Sequence, residues 1–460
     1  MKDLPAVSVS QTLAERALAL TPATIPPSVR ERADALLMDV VGLCFAARNS
    51  DYIRGMLKAV DAGGPATAIG HAGSFAPETA ALLNGTATHG EDFDDTFEGG
   101  PVHSSAVVIP AVLAACERWG RDGRSALLGT VAGVEAMCRS SMVVPKGIHK
   151  AGFHPTGVLG AMGSTLAVCV TLGLNKQQTV DALGIAGSMA SGIIEYLAEG
   201  AWTKRLHAGW SAQIGLQAAR LGAQGFLGPR TVFEGTHGLY NGFAHSADGD
   251  YAALTGDFGR HWHMDAITFK PYATGTMNQP YIDCALRLAK TMNEKGLKAE
   301  DVTDVLCETA EGYVHRLWEP LASKHQPANE YGAKFSAPFN IAVAFVTGEA
   351  GLGAFSEKTV RDPRVIALAS KVRYVIDPDN PYPKAYTGHV RMTLKDGRVM
   401  EERQPHIRGG AQEPLTRAEI EDKFRLNCEY GGWSKEKASA FLKAAPAFFE
   451  GPIDLQGLRG

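Results

Sequence analysis

The run His89-Gly90-Glu91-Asp92-Phe93-Asp94-Asp95-Thr96, followed by His103-Ser104-Ser105, is the densest polar cluster lying in an apolar part of the chain. Four carboxylates within five residues repel one another, a cost that makes sense where some of them cap a helix or orient a base. A solvated acidic loop is the plainer reading. A metal site is a further one, since Asp and His are common ligands. No second cluster has metal-like spacing, however, and His261-Trp262-His263 is too short a pairing to argue for zinc, so no metal is expected. Gly152-Phe153-His154-Pro155-Thr156-Gly157 places His154 just before a helix start, where the positive helix end disfavours imidazolium and attracts anions. Taken alone, His154 is equally a satisfied structural histidine. Thr203-Lys204-Arg205-Leu206-His207-Ala208-Gly209 opens an otherwise apolar helix with three basic groups in four residues. Unpaired buried charge is expensive, so these groups need an anionic partner, either protein carboxylate or substrate carboxylate. Phe269-Lys270-Pro271-Tyr272 falls where the chain changes from helical to mixed character, and domain seams are favoured places for ligands.

These groups come without a cofactor fingerprint, and no cofactor is expected. The chemistry they can do unaided is proton transfer beside a carboxylate. Lysines and helix N-termini would hold substrate carboxylates, a His or Asp would take an α-proton, and another acid would protonate a departing group or the opposite face. His154, with a depressed pKa, suits the base. His103, beside the acidic segment, suits the acid, with Asp92 orienting or charging it, although the two roles can be exchanged.

The elements that must position these residues are mainly helices as far as about residue 265. Helices fit Val7–Leu20, a segment capped by Ser28 and running to about Ala47, then 76–89, 104–118, 122–140, 156–173, 177–196, 205–224 and 229–235. Gly157, Gly160 and Gly163 recur every three residues and so share one helix face, the mark of close helix contact. A phosphate loop is unsupported there, because no strand precedes the glycines and no Lys-Ser/Thr pair follows. After about residue 265 the pattern changes. Val302–Thr309 alternates, Val372–Ile376 is β-branched and apolar, and Lys395-Asp396-Gly397 joins His389–Leu394 to Arg398–Glu402 as a hairpin. Helices at 278–294 and 334–347 lie between the strands. Thr416 with Glu419 forms a capping box, and Ser434 caps a last helix. The expected fold is mainly α with a second α+β domain: a discontinuous all-helical domain from 1–265 and 405–460, and a smaller α+β domain from 266–404.

Composition narrows the class. With 460 residues, 45% hydrophobic and 20% charged, the chain is neither disordered nor fibrous. A net charge of −4 gives no basic excess for nucleic acid or an anionic membrane. The seven cysteines form no C-x-x-C pair and are odd in number, which fits reduced, buried thiols and a cytoplasmic setting. Asp3 and Pro5 in a start lacking a long apolar core argue against a signal peptide. The 25 residues between Lys150 and Lys176 carry no charge and are long enough to span a bilayer, but His154, Pro155, Thr156 and Ser164 suit a helix buried in protein. No membrane contact is expected.

At its motifs the sequence resembles the MmgE/PrpD family along nearly its whole length. The resemblance rests on Asn84-Gly85 with His89 and DFDDT at 92–96, on the His103–Ala111 segment, and on GFHPTGVLGAMGS at 152–164. It continues through ALGIAGSMASG at 182–192, TKRLHAG at 203–209, GFLGPRTVFEG at 225–235, FKPY at 269–272 and KFSAPFNIAVA at 334–344. It implies a large all-helical domain, a smaller α+β domain, a homodimer, an active site between the domains, and metal-free chemistry on small di- or tricarboxylates. By this resemblance Asp92, Thr96, His103, His154, Lys204 and Lys270 match active-site positions, with His207 in the motif of Lys204 and Tyr272 in that of Lys270. Family members usually carry Cys or His after FKPY, and the decarboxylase has a histidine where this chain has Gly275. Here the run Ala273–Pro280 has neither residue, which argues against decarboxylation of cis-aconitate and weakens an assignment to 2-methylcitrate itself. The leading expectation is a cofactor-free dehydratase of a 2-methylcitrate-like hydroxy-polycarboxylate, with Asp92, Thr96, His103 and His154 catalytic and Lys204, His207, Lys270 and Tyr272 binding substrate. The alternatives are an epimerase of an iminodisuccinate-like dicarboxylate and a non-catalytic polycarboxylate-binding protein.

Overall fold

A computed structural model describes residues 5–382 and 384–460. The chain divides into two units: the first holds Met1–Gly90, Asp94–Ile267 and Thr416–Gly460, the second Glu91–Phe93 and Thr268–Leu415.

The first unit is helical. Its principal helices are α1 (Val9–Leu18), α2 (Pro27–Ala47), α3 (Pro77–Gly90), α4 (Ser105–Trp119), α5 (Gly123–Val143), α6 (Pro155–Leu172), α7 (Lys176–Met189) and α8 (Thr203–Ala223). Pro27, with φ fixed for a first helical position, begins α2 in place of the expected Ser28 cap. The centre is α6, which packs on α5, α8, α4 and α7. It is long and apolar enough to cross a membrane, yet 94% of it is buried inside the protein, so its apolarity is spent on neighbouring helices. Small residues let the helices approach. A Cβ on Gly85 of α3 would stand 2.7 Å from the Cα of Gly209 in α8, so neither glycine has room for a side chain at that crossing.

Two stretches differ from expectation. The helix expected over 177–196 ends at Met189, because residues beyond it pair with another segment: Gly192 O accepts from His154 N at 2.7 Å and Ile194 N donates to Gly152 O at 3.0 Å. Residues 229–235 are turns, not helix. Their backbone bonds close locally, from Gly235 N to Thr231 O at 2.8 Å and from Leu239 N to Val232 O at 2.7 Å.

The second unit is α+β. Strands β1 (Val302–Thr309), β2 (Val372–Ile376), β3 (Gly388–Leu394) and β4 (Val399–Gln404) form a sheet in the order β2-β1-β3-β4. β1 pairs parallel with β2 and antiparallel with β3, while β3 and β4 form the hairpin closed at Lys395-Asp396-Gly397, where Gly397 adopts φ +82°. Helices α9 (Gln279–Glu294) and α10 (Ala337–Thr347) pack on each other, and α9 covers β3 and β4. The unit runs on to Leu415 rather than stopping at 404, because Phe269 N donates to Gly409 O at 3.1 Å and Gly409 N to Glu413 O at 2.7 Å.

The chain then returns to the helical unit as α11 (Arg417–Tyr430) and α12 (Lys435–Ala444). The Thr416–Glu419 capping box starts α11 and Ser434 caps α12. A buried ion pair, Lys423 Nζ to Asp39 Oδ1 at 2.7 Å, ties α11 to α2. All seven cysteines are free and buried, and burial pushes the thiols of Cys44, Cys116, Cys169 and Cys284 up to about 12.

Candidate active site

In the helical unit the site is built at helix ends. Asp95 accepts from Ser104 N at 3.1 Å, Ser104 Oγ at 2.9 Å and Ser105 N at 3.1 Å, and also from Ser105 Oγ, so one carboxylate satisfies donors left over at the start of α4. Burial, with Asp94 next to it, raises its pKa to about 6. This cap folds the acidic loop back and places His103 just ahead of α4. Nδ1 of His103 lies 2.7 Å from the Asp95 carbonyl oxygen, 3.4 Å from Thr96 Oγ1 and 3.6 Å from Asp94 Oδ2. A carbonyl only accepts, so Nδ1 carries a proton and Nε2 is the nitrogen left to exchange a proton with a substrate.

His89, in the last turn of α3, has Nδ1 2.7 Å from Asp94 Oδ2, and its buried Nε2 has no hydrogen-bond partner among the described residues. His154 is the N-cap residue of α6, and its Nδ1 lies 3.2 Å from Nδ1 of His207 in the first turns of α8. Gly192, at φ +124°, lets the chain cross this pair: a Cβ there would stand 3.2 Å from Nδ1 of His207. The rings form an array, with centroids 4.7 Å apart for His89–His103, 5.6 Å for His89–His154 and 5.3 Å for His154–His207. Tyr196 stands edge-on to His154 and His207 at 6.1 and 5.9 Å. His154 is held well below the ordinary imidazole pKa, first by burial and then by charge on His89, Lys204, His207 and His103. Burial, His89 and Lys204 bring His207 down to about 4. The depression expected for His154 is present, and its leading cause is burial rather than the helix end alone.

Candidate ligand atoms of His89, His103 and His154 lie within 4.8 Å of one another, a set that could hold a transition metal. On His89 and His103 the Nδ1 is held by a carboxylate or carbonyl oxygen, the support a metal-bound Nε2 usually has. Spacing along the chain did not reveal this set because its members come from three separate elements.

The second unit holds Asp92, Lys270 and Tyr272. Asp92 has a left-handed backbone, φ 55°. Lys270 is fully buried, and its Nζ donates to Asp92 O at 2.8 Å and lies 3.6 Å from Asp92 Oδ1. Tyr272 is buried and donates its hydroxyl to Asp283 Oδ1 at 2.6 Å; burial raises the Asp283 carboxyl to about 6 and pushes the Tyr272 phenol up.

Sequence reading missed Asp94, Asp95 and Tyr196 as individual site groups, and named His89 only within a motif. The signal for the two aspartates was their place in the DFDDT run; their work as support and cap depends on how that loop closes.

The chain matches the MmgE/PrpD N-terminal domain over residues 11–252 and the MmgE/PrpD C-terminal domain over residues 272–445, and it belongs to this family. Its relatives include the cis-aconitate decarboxylase-like protein oryM of Aspergillus oryzae, 25% identical over 92% of this chain and 90% of that one. The cis-aconitate decarboxylase of Homo sapiens is 30% identical over 76% of this chain and 72% of that one. The mitochondrial 2-methylcitrate dehydratase of Yarrowia lipolytica is 22% identical over 71% and 65%. With decarboxylase and dehydratase relatives in this family, the chain is an enzyme of the lyase type.

Proposed function

We propose that the protein is a dehydratase acting on a small hydroxy-polycarboxylate of the 2-methylcitrate kind, with proton transfer carried by the imidazole array and no metal required. The observation that carries this reading is the pairing of unlike histidine environments: His154 kept neutral beside Lys204, and His103 held against Asp94. His154 removes the proton α to a carboxylate, the electron pair forms the carbon–carbon double bond, and the β-hydroxyl leaves as water with a proton from His103. Lys204, in the first turn of α8, would offer positive charge to a substrate carboxylate as the α-carbon loses its proton, and neutral His207 would offer it a hydrogen bond. The dehydratase relative supports this reaction class. The decarboxylase relatives favour the same substrate chemistry, but the run Ala273–Pro280 contains neither Cys nor His. A second reading, epimerisation of an iminodisuccinate-like dicarboxylate, draws support from the array holding more than one imidazole, since one can remove a proton and another return it. By the resemblance stated above, the protein works as a homodimer.

The test is proton NMR of di- and tricarboxylates in deuterated water with exhaustively chelated protein. A new alkene signal supports dehydration. Deuterium at the α-carbon without an alkene supports epimerisation, and binding with neither would leave a carboxylate-binding protein. Activity that is lost on chelation and restored by one divalent ion would overturn the metal-free reading and point to His89, His103 and His154 as its ligands.

A further inference from the structure

The KFSAPF motif places Lys334 at a position for which the chemistry above has no use, yet this lysine is only 3% exposed. Its Nζ donates to Glu91 O at 2.7 Å and to Glu91 Oε2 at 2.7 Å. Lys270 makes the neighbouring bond, to Asp92 O. Consecutive carbonyls, Glu91 O and Asp92 O, thus each accept from a different buried ammonium. The peptide plane before Asp92 contains the first carbonyl and the plane after it contains the second. The relative orientation of those two planes is the φ and ψ of Asp92. Asp92 is left-handed at φ 55°, a region that costs a residue with a Cβ roughly 1–2 kcal/mol, although Asp enters it more readily than most. Two charge-assisted bonds hold it.

The other end of Lys334 serves the same unit. Its carbonyl accepts from Thr274 Oγ1 at 2.6 Å, Asn278 Nδ2 at 3.0 Å and Gly275 N at 3.3 Å. The loop carrying Gly275 therefore hangs on the residue that pins Glu91.

We propose that Lys334 is a positioning residue that sets the backbone conformation of Asp92 through Glu91, and that couples Asp92 to the 274–278 loop. The inference rests on the proposed lyase activity and on the family resemblance, which makes Asp92 an active-site position, for the part Asp92 has in turnover. Lys334→Met should lower kcat by about 10²-fold while KM moves less than about threefold, because the defect is misplacement of an acting carboxylate rather than loss of a substrate contact. Lys334→Met placed on Asp92→Asn should fall no lower than Asp92→Asn alone. Glu91→Ala, at a partly exposed side chain, keeps the carbonyl acceptor and should lose about tenfold in kcat, which provides a test if Lys334→Met fails to fold. Amide hydrogen exchange over residues 91–95 should rise about tenfold or more in Lys334→Met, and less in Glu91→Ala. Additive losses in the double variant, a change confined to KM, or unchanged exchange would overturn the proposal. If the unaltered protein turns over no polycarboxylate, the functional reading fails, and the exchange comparison still decides whether Lys334 holds Asp92.

Discussion

The imidazoles of the array meet different partners, and His154, His103 and His207 carry separate expectations. His154→Gln and His103→Gln should both fold and lose at least about 10²-fold in kcat, the usual range for general acid–base groups. Exchange of the substrate α-proton with solvent then separates them: it should vanish in His154→Gln and can persist in His103→Gln. Because burial holds His154 well below its ordinary pKa, the acid limb of kcat/KM should lie well below pH 6.5; a limb at 6.5 or above would contradict His154 as the base. Lys204→Met should cost about 10²-fold in kcat/KM with a raised KM, as expected for a desolvated charged hydrogen bond. His207 makes a stability statement. Its folded pKa, about 4, lies below the unfolded value near 6.5, so the folded form binds fewer protons between those values. Stability is therefore fully present above pH 6.5 and is lost as pH falls toward 4. At pH 5 the loss from this group is on the order of 2 kcal/mol. Denaturant melts at pH 7.5 and 5 should show that difference shrink in His207→Gln.

These side chains depend on helix ends being where they are, and one tight constraint is the crossing of α3 with α8. A methyl at Gly209 would run into Leu82 O and Thr86 Oγ1. Gly209→Ala should cost about 1–3 kcal/mol by overpacking and lower Tm by several degrees. It should also cut kcat/KM by about tenfold or more, because Lys204 and His207 ride on the displaced helix. Circular dichroism melts and steady-state kinetics check both effects. Elements of this kind were legible where the signal is local. Val302–Thr309 and Val372–Ile376 appear at the expected bounds, and the Thr416–Glu419 box starts its helix. What stayed hidden was decided at long range. The apolar run after Met189 reads as more helix, but its backbone partner is Gly152–His154, some 40 residues earlier. His154 and His103 were legible as motif residues. The cap that Asp95 supplies, and the burial of His89 Nε2, depend on how several helix ends converge.

For the whole chain, the apolar helix α6 is consumed inside one copy, so it is not the surface for a second copy. A run of exposed apolar side chains lies later, with Ile193, Leu197, Trp202, Leu206 and Trp210 all more than a third exposed. Light scattering at micromolar concentration should give twice the 48.9 kDa chain mass; a value near 48.9 kDa would contradict the homodimer. The thiols offer a different use of the same fold. Five cysteines, at 44, 116, 138, 169 and 428, are sealed in the helical unit, and Cys284 and Cys307 in the other. With every sulfur shut away and held as the unreactive thiol, an alkylating reagent can mark the chain only when a unit breathes open. The order in which the seven sulfurs acquire label is thus a clock, already written into the sequence, that reports which unit lets go first.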